Sequence, residues 1–80
     1  MIYIYVLQLN KNKIYIAQSQ KCINNICKFF YSINDNWINI YKICNILELI
    51  QTNNKNEIYN ISKQYKKKIG ISNVKVNTNI

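Results

Sequence analysis

The charged side chains of this sequence, which limit the chemistry it could perform, are nearly all lysines. Its 80 residues include 11 lysines against three acids, Asp35, Glu48 and Glu57, with no arginine and no histidine, so the formal net charge is +8. Such an excess of cations favours an anionic partner, and nucleic acid, either DNA or RNA, is the usual one. A lysine-rich surface that only reflects the codon bias of an AT-rich genome explains the same composition, and both interpretations stay open here.

Cysteine is the other reactive residue type, present at Cys22, Cys27 and Cys44. An odd number without a secretory signal argues against a disulfide framework. Four residues separate Cys22 from Cys27 and histidine is absent, which is a poor pattern for zinc, so we expect no zinc site. Cys27 and Cys44 are therefore predicted to be small buried hydrophobic residues.

Length and composition place these groups on one small domain, residues 1–80, with a modest core. The hydrophobic fraction of 49% is ordinary for a folded protein, which argues against disorder. The apolar run at the start of the chain ends at Lys11, so it is too short to span a membrane and lacks the basic leader of a signal peptide. We therefore expect a soluble, intracellular protein with no membrane partner, in a compartment that the sequence does not specify.

The first two elements are predicted to form a β-hairpin. Residues 2–9 and 13–19 are rich in β-branched and aromatic side chains, and residues 10–12 read as a turn. A three-residue turn pairs Leu9 with Lys13 and needs a left-handed residue, a position that Asn12 tolerates. The alternate side chains Tyr5, Leu7, Tyr15 and Ala17 then share one face of the sheet.

The middle of the chain alternates between helical and extended patterns. Apolar residues recur at helical spacing over residues 21–31, which predicts a helix, and residues 32–36 read as a loop. Residues 37–41 are ambiguous but compatible with a short helix. Residues 43–51 predict a third strand.

The last long segment carries a helical stripe formed by Ile58, Ile61 and Tyr65, and Gly70 stands where the helix should stop. Residues 71–80 are predicted to be a loop or a short strand. The complete order, strand, strand, helix, strand, helix, predicts an α+β fold in which helices pack on a three-stranded antiparallel sheet.

Two tyrosine motifs lie ten residues apart, Tyr5 with the two residues after it and Tyr15-Ile16-Ala17. In this respect the chain resembles the GIY-YIG nuclease domain family, with Tyr3 and Ala17 in place of glycines of the two motifs. Further matches are Trp37, Tyr41 and Lys42, where the family has Trp-Thr-x-x-Tyr-Lys-Pro, with Ile43 in place of its proline. The segment Gly70-Ile71, with Asn73, Val74 and Lys75, resembles a tail of virus-type members. The resemblance covers nearly the whole chain.

The resemblance implies hydrolysis of a phosphodiester at one divalent metal ion, Mg²⁺. In that chemistry a glutamate binds the metal, a cation stabilises the phosphate and a tyrosine activates water. Carried onto this sequence, the catalytic candidates are Tyr5 and Tyr15, with Lys21 or Lys28 as phosphate contacts and Glu57 as the metal ligand. The lysines predicted to bind nucleic acid are Lys63, Lys66, Lys67, Lys68 and Lys75.

The decisive positions of the family's first helix carry other residues. Asn25 stands at the position of the family's arginine and Phe29 at that of its histidine or tyrosine. Asparagine has no charge and lacks the cationic fork of arginine, and phenylalanine cannot titrate. Glu57 also has a structural interpretation, as the acid of a capping box that starts at Asn54. The tyrosines likewise have one, as packing partners of Trp37.

Three functions remain open on the sequence alone. The first is a degenerate GIY-YIG domain of viral or mobile-element type, catalytically impaired or inactive, that still binds nucleic acid through its lysines and needs no cofactor. The second is a divergent Mg²⁺-dependent endonuclease with Tyr5 as base and Glu57 as metal ligand. The third is an interaction module that keeps only the fold. Residue types specify neither the nucleic-acid target nor the oligomeric state.

Overall fold

The chain begins with a β-hairpin and then adds helices on both sides of it. The computed structural model describes residues 1–78 and 80. In chain order the elements are β1 (Ile2–Leu9), β2 (Lys13–Ser19), α1 (Ile26–Ser32), α2 (Asn36–Tyr41), β3 (Ile43–Thr52), α3 (Glu57–Ile69), a 3₁₀ turn (Ile71–Asn73) and β4 (Val74–Asn77). The predicted α+β class is confirmed.

The hairpin has the predicted register. Leu9 pairs with Lys13, and Tyr5 pairs with Ala17. The turn is made by left-handed backbone at both Lys11 (φ 62°) and Asn12 (φ 58°), of which only the second was expected. Asparagine tolerates this conformation because its short polar side chain bonds locally.

The hairpin separates two hydrophobic cores. One side holds Tyr5, Leu7, Tyr15 and Ala17, and we call it the tyrosine face; α1 and α2 cover it through residues that include Phe30 and Ile38. The other side we call the isoleucine face. It is built from the alternate strand residues and is covered by α3, and its buried members are Ile4, Val6, Ile14, Ile16, Ile58, Ile61 and Val74. Because β1 and β2 are covered on both faces, their sequences are almost continuously apolar.

Within the described residues the sheet has four strands rather than the predicted three, in the order β3-β1-β2-β4. The outer strand β4 pairs with β2 in parallel, Ile14 opposite Val74 and Ile16 opposite Val76, so the sheet is mixed and not wholly antiparallel. The three-stranded prediction was wrong because four residues of alternating pattern are too few to identify a strand until a partner edge is known.

The helices expected over residues 21–31 and in the last long segment are present, but the first of them starts later than predicted. The helix expected from residue 21 begins at Ile26, because the Asn25 side chain accepts a hydrogen bond from the Lys28 backbone N–H and so caps it. Helix α3 begins at Glu57 itself. The Asn54 side chain bonds the Asn56 backbone N–H instead of forming a capping box. Gly70 ends α3 as expected, with φ 97°.

The cysteines correct a prediction about burial, since all three side chains are exposed. Cys27 follows Ile26, a helical residue that packs on the tyrosine face, and the step of about 100° along a helix turns it outward. Cys44 lies on the edge strand β3. Among the described residues, no helix is long and apolar enough to cross a membrane.

Candidate functional site

Tyr5 lies almost entirely inside the protein, with 1% of its surface exposed. Its hydroxyl accepts a hydrogen bond from the Ile23 backbone N–H at 2.9 Å and donates one to the Lys21 carbonyl at 3.4 Å. The phenol therefore holds the segment between β2 and α1 against the sheet. Both hydrogen bonds are made to backbone, so Tyr5 has a structural role, but the ring it contacts is Phe30, whereas the expected partner Trp37 packs against Tyr41.

Tyr15 is also buried, and side chains surround its hydroxyl. The hydroxyl donates to Asp35 Oδ2 at 3.0 Å and accepts from Asn77 Nδ2 at 2.8 Å. Burial, together with the neighbouring Asp35 carboxylate, raises the pKa of Tyr15 to about 12. A phenol with such a pKa stays protonated at neutral pH and is a poor general base.

Asp35 is the centre of this cluster and was not singled out from the sequence. Lys75 Nζ lies 3.1 and 3.0 Å from its two carboxylate oxygens, and Oδ1 also accepts the Trp37 backbone N–H at 2.9 Å. Burial alone would raise the pKa of Asp35, but the hydrogen bonds from Lys75, Trp37 and Tyr15 together hold it below its usual value. One carboxylate thus joins β2, α2 and β4. We call Tyr15, Asp35, Lys75 and Asn77 the Asp35 cluster.

A sequence signal for part of this cluster was present. Asp35 directly precedes Asn36 and Trp37, and an aspartate before a helical segment is a typical N-cap. Its contacts with Tyr15 and Lys75, 20 and 40 residues away, had no such signal.

A cleft of about 500 Å³ opens at the end of β2 beside the Tyr5 hydrogen bonds. Its described lining consists of Gln18, Ser19, Gln20, Lys21, Ile23, Phe29, Thr78 and Ile80. Lys21 is the one charged residue among them. Of the two phosphate-contact candidates, the structure thus brings Lys21 to the cleft, whereas Lys28 lies on the exposed side of α1.

Asn25 and Phe29 both have structural roles. Asn25 caps α1, and the Phe29 ring packs edge-on against Phe30 with centroids 5.3 Å apart. Phe30 in turn contacts the rings of Tyr5 and Tyr15 at 5.8 and 6.0 Å. Both residues therefore fit the fold and add no charge to the cleft.

Glu57 belongs to the helix on the other side of the sheet. It is the first residue of α3, which covers the isoleucine face, whereas Tyr5 and Tyr15 lie on the tyrosine face. Among the described residues, no three His, Cys, Asp or Glu side chains come close enough to hold a metal ion. The other two acids are occupied, since Asp35 binds Lys75 and Glu48 Oε2 accepts the Tyr65 hydroxyl at 2.7 Å. Glu57 is thus the remaining acidic side chain that could bind Mg²⁺.

The five lysines predicted to bind nucleic acid divide into three groups. Lys63, Lys66 and Lys67 line a shallow groove on α3 of about 510 Å³ together with Tyr59, Ser62 and Ile71. We call Tyr59, Lys63, Lys66, Lys67 and Ile71 the α3 surface. Lys68 lies on another side of α3, beside Glu48 and Tyr65. Lys75 is part of the Asp35 cluster.

Most of the lysines have no acidic partner. In the part of the chain that the structure describes, the ion pair between Lys75 and Asp35 is the single one. Lys13 is also engaged, since its Nζ donates to Asn73 Oδ1 at 2.8 Å and lies 5.6 Å from the centre of the Trp37 ring. The lysines of the α3 surface therefore form a cluster of positive charge without an acidic partner among the described residues.

Comparison with known proteins returns no match, since no protein-family model, no curated protein and no solved structure is significantly similar to this chain.

Proposed function

We propose that this chain is a degenerate GIY-YIG-like domain that has lost most of its hydrolytic chemistry and binds the phosphate backbone of nucleic acid through the α3 surface. The observation that carries the binding proposal is the convergence of Lys63, Lys66 and Lys67 with an exposed aromatic ring, Tyr59, on one groove. Binding to the phosphate backbone needs only cations, and a neighbouring aromatic side chain can stack on an unpaired base.

The loss of chemistry is supported by the tyrosine face. Both phenols that the resemblance assigns to catalysis are buried and hydrogen-bonded within the fold, and the pKa of Tyr15 is raised to about 12. Removing one charge-stabilising contact typically costs about 10²–10³ in rate. The chain lacks the family's arginine and its histidine or tyrosine, so two contacts of this kind are missing.

Nucleic-acid binding is tested by fluorescence anisotropy with a labelled duplex and a labelled single strand over a series of salt concentrations. Wild type is compared with the triple variant Lys63→Gln, Lys66→Gln, Lys67→Gln. The control is Lys11→Gln, Lys42→Gln, Lys55→Gln, which removes the same charge from exposed lysines that do not line the groove on α3.

We expect wild-type affinity to fall steeply with salt, and the α3 triple variant to lose up to about three units of the slope of log K against log salt. The control should keep most of the slope. Equal weakening in both triples would show that binding follows net charge alone. Absence of binding at low salt would overturn the proposal.

A second candidate function is a slow Mg²⁺-dependent endonuclease, favoured by the position of Lys21 in the cleft next to Tyr5. Supercoiled plasmid is incubated at high protein concentration with Mg²⁺, Mn²⁺ or EDTA. Glu57→Ala and Tyr5→Phe proteins run in parallel. Under our proposal none of the proteins nicks the plasmid above the EDTA control. Metal-dependent nicking that both variants lose would establish the second function and overturn the first.

A further inference from the structure

The two edges of the sheet differ in how they are protected. The edge strand β4 has four residues, and two of them are held by side-chain hydrogen bonds, Lys75 to Asp35 and Asn77 to Tyr15. The other edge strand, β3, has ten residues, of which the six from Cys44 to Leu49 are all exposed. Three of these six are large apolar side chains, Ile46, Leu47 and Leu49, and Leu49 is 60% exposed.

Edge strands are usually protected from pairing with other chains by lysine, proline, bulges or a covering element. β3 has no lysine and no proline, although the chain contains 11 lysines. Its single charged residue, Glu48, already accepts a hydrogen bond from Tyr65. Irregular register with β1 disturbs its first half, between the partners of Val6 and Leu9. The second half, Glu48–Thr52, pairs regularly with β1, and among the described residues no further strand covers its outer edge.

We infer that the outer edge of Glu48–Thr52 pairs antiparallel with the same edge of a second copy of this chain, about a two-fold axis near Leu49. Antiparallel pairing of identical strands is self-complementary, as a two-fold dimer requires. Leu49 and its symmetry mate then lie on the same face of the joined sheet and bury each other's apolar surface.

The distribution of charge favours β3 over β4 as the edge at which two positively charged copies pair. Each copy carries a formal charge of +8, which opposes association over most of the surface. β3 is the sheet edge without a lysine, whereas β4 carries Lys75. The paired segment is only five residues long, so the buried area falls in the small class that forms weak and reversible dimers.

The dimer has a consequence for the α3 surface, and this step alone rests on the proposed function. A two-fold axis perpendicular to the sheet leaves both α3 helices on the same side of one eight-stranded sheet. Two copies of the α3 surface then face one nucleic-acid molecule, and linked sites bind more tightly than separate ones without any new contact.

The test is sedimentation velocity of the protein alone, under reducing conditions, from about 10 μM to about 1 mM, a range that brackets weak interfaces. Wild type is compared with Leu49→Lys and with Ile71→Lys. Ile71 is 76% exposed and lies beside β4, so this control introduces the same charge and removes a similar exposed apolar side chain far from β3.

We expect wild type and Ile71→Lys to form a dimer as concentration rises, more readily in high salt because screening weakens the repulsion. Leu49→Lys should stay monomeric while its circular dichroism spectrum remains that of wild type. Concentration-dependent protection of the Leu49–Gln51 amides from hydrogen exchange should accompany the dimer.

A wild-type monomer throughout the range would overturn the inference, as would equal loss of the dimer in both variants. Protection of the same amides only when an extended peptide of another sequence is added would assign the edge to a different protein. Because no nucleic acid is present, failure here leaves the proposed function untouched.

Discussion

The two faces of the hairpin are built from alternate residues of the same strands, yet they are stabilised in different ways. The isoleucine face is aliphatic, and its covering helix carries the lysines of the α3 surface. The tyrosine face is aromatic and hydrogen-bonded, with Tyr5 bound to backbone and Tyr15 bound to the Asp35 cluster. The face whose residue types suggest chemistry therefore holds the fold together, and the face that looks structural carries the exposed charge.

This contrast agrees with the residue types that each face carries. On the tyrosine face Phe29 and Phe30 pack around the two phenols, so an apolar ring adds buried contact where a cation would have to be desolvated. On the outside of α3, lysines cost little because their charges stay in water.

The largest effect is expected from removing the ring at the centre of the tyrosine face. Phe30 is fully buried and touches the rings of Tyr5 and Tyr15, so Phe30→Ala should lower the free energy of unfolding by about 3–5 kcal/mol. Urea denaturation followed by circular dichroism measures this. Since small domains have only about 5–15 kcal/mol in total, Phe30→Leu provides a folded variant with a smaller loss. A loss under about 1 kcal/mol in Phe30→Ala would show that the ring cluster is not a core.

A smaller effect is expected from opening the Asp35 cluster. Asp35→Asn should destabilise the protein by about 1–2 kcal/mol at pH 7, because it weakens the ion pair with Lys75, and Lys75 is partly screened by solvent. Lys75→Gln should give a similar loss. Lys63→Gln, the same substitution at an exposed α3 lysine, should change stability by less than about 0.5 kcal/mol.

The effect of Asp35 should depend on pH. Its pKa is lowered in the folded state, so near its ordinary pKa of about 4 the unfolded chain binds more protons than the folded one. The contribution is therefore present above about pH 4 and is lost as pH falls through the lower folded pKa. Wild type and Asp35→Asn should converge in stability in acid, and a constant difference down to strongly acidic pH would contradict this origin.

The smallest effects on stability are expected from replacing one phenol on each face of the sheet. Tyr15 and, on the isoleucine face, Tyr65 beside Glu48 both have a pKa raised to about 12, chiefly because they are buried. An unfolded phenol ionises near pH 10, so stability should fall as pH rises from about 10 to about 12. Tyr15→Phe and Tyr65→Phe should each make this fall shallower, as measured by urea denaturation at several alkaline pH values. Unchanged slopes in both variants would show that neither phenol stays protonated in the folded state.

Much of the secondary structure could be predicted because its signals are local. The alternation of residues 2–19 specifies the hairpin and its two faces, and the stripe of Ile58, Ile61 and Tyr65 specifies α3. The start of α1 was misplaced because a cap depends on backbone geometry at one residue, Asn25. β4 was uncertain because a strand of four residues is stable only when a neighbouring edge accepts it.

The candidate site could be predicted only as a set of residue types. Composition indicated cations and an anionic partner, and spacing placed Tyr5 and Tyr15 on one side of the sheet. Which lysines remain available for binding was decided by the fold. Asp35 neutralises Lys75, and Lys13 lies against Trp37 and Asn73, whereas Lys63, Lys66 and Lys67 stay together on α3.

Local patterns along the chain decide the strands, the hairpin register and the apolar side of α3, because each depends on neighbours a few residues away. The tertiary structure decides the partners of the tyrosine hydroxyls, the separation of Glu57 from the tyrosine face and the exposure of β3. The physical reason is that these properties depend on contacts between residues far apart in the chain, such as Tyr5 with Lys21, 16 positions apart, and Tyr15 with Asn77, 62 positions apart. Such contacts leave no periodic signal in one sequence.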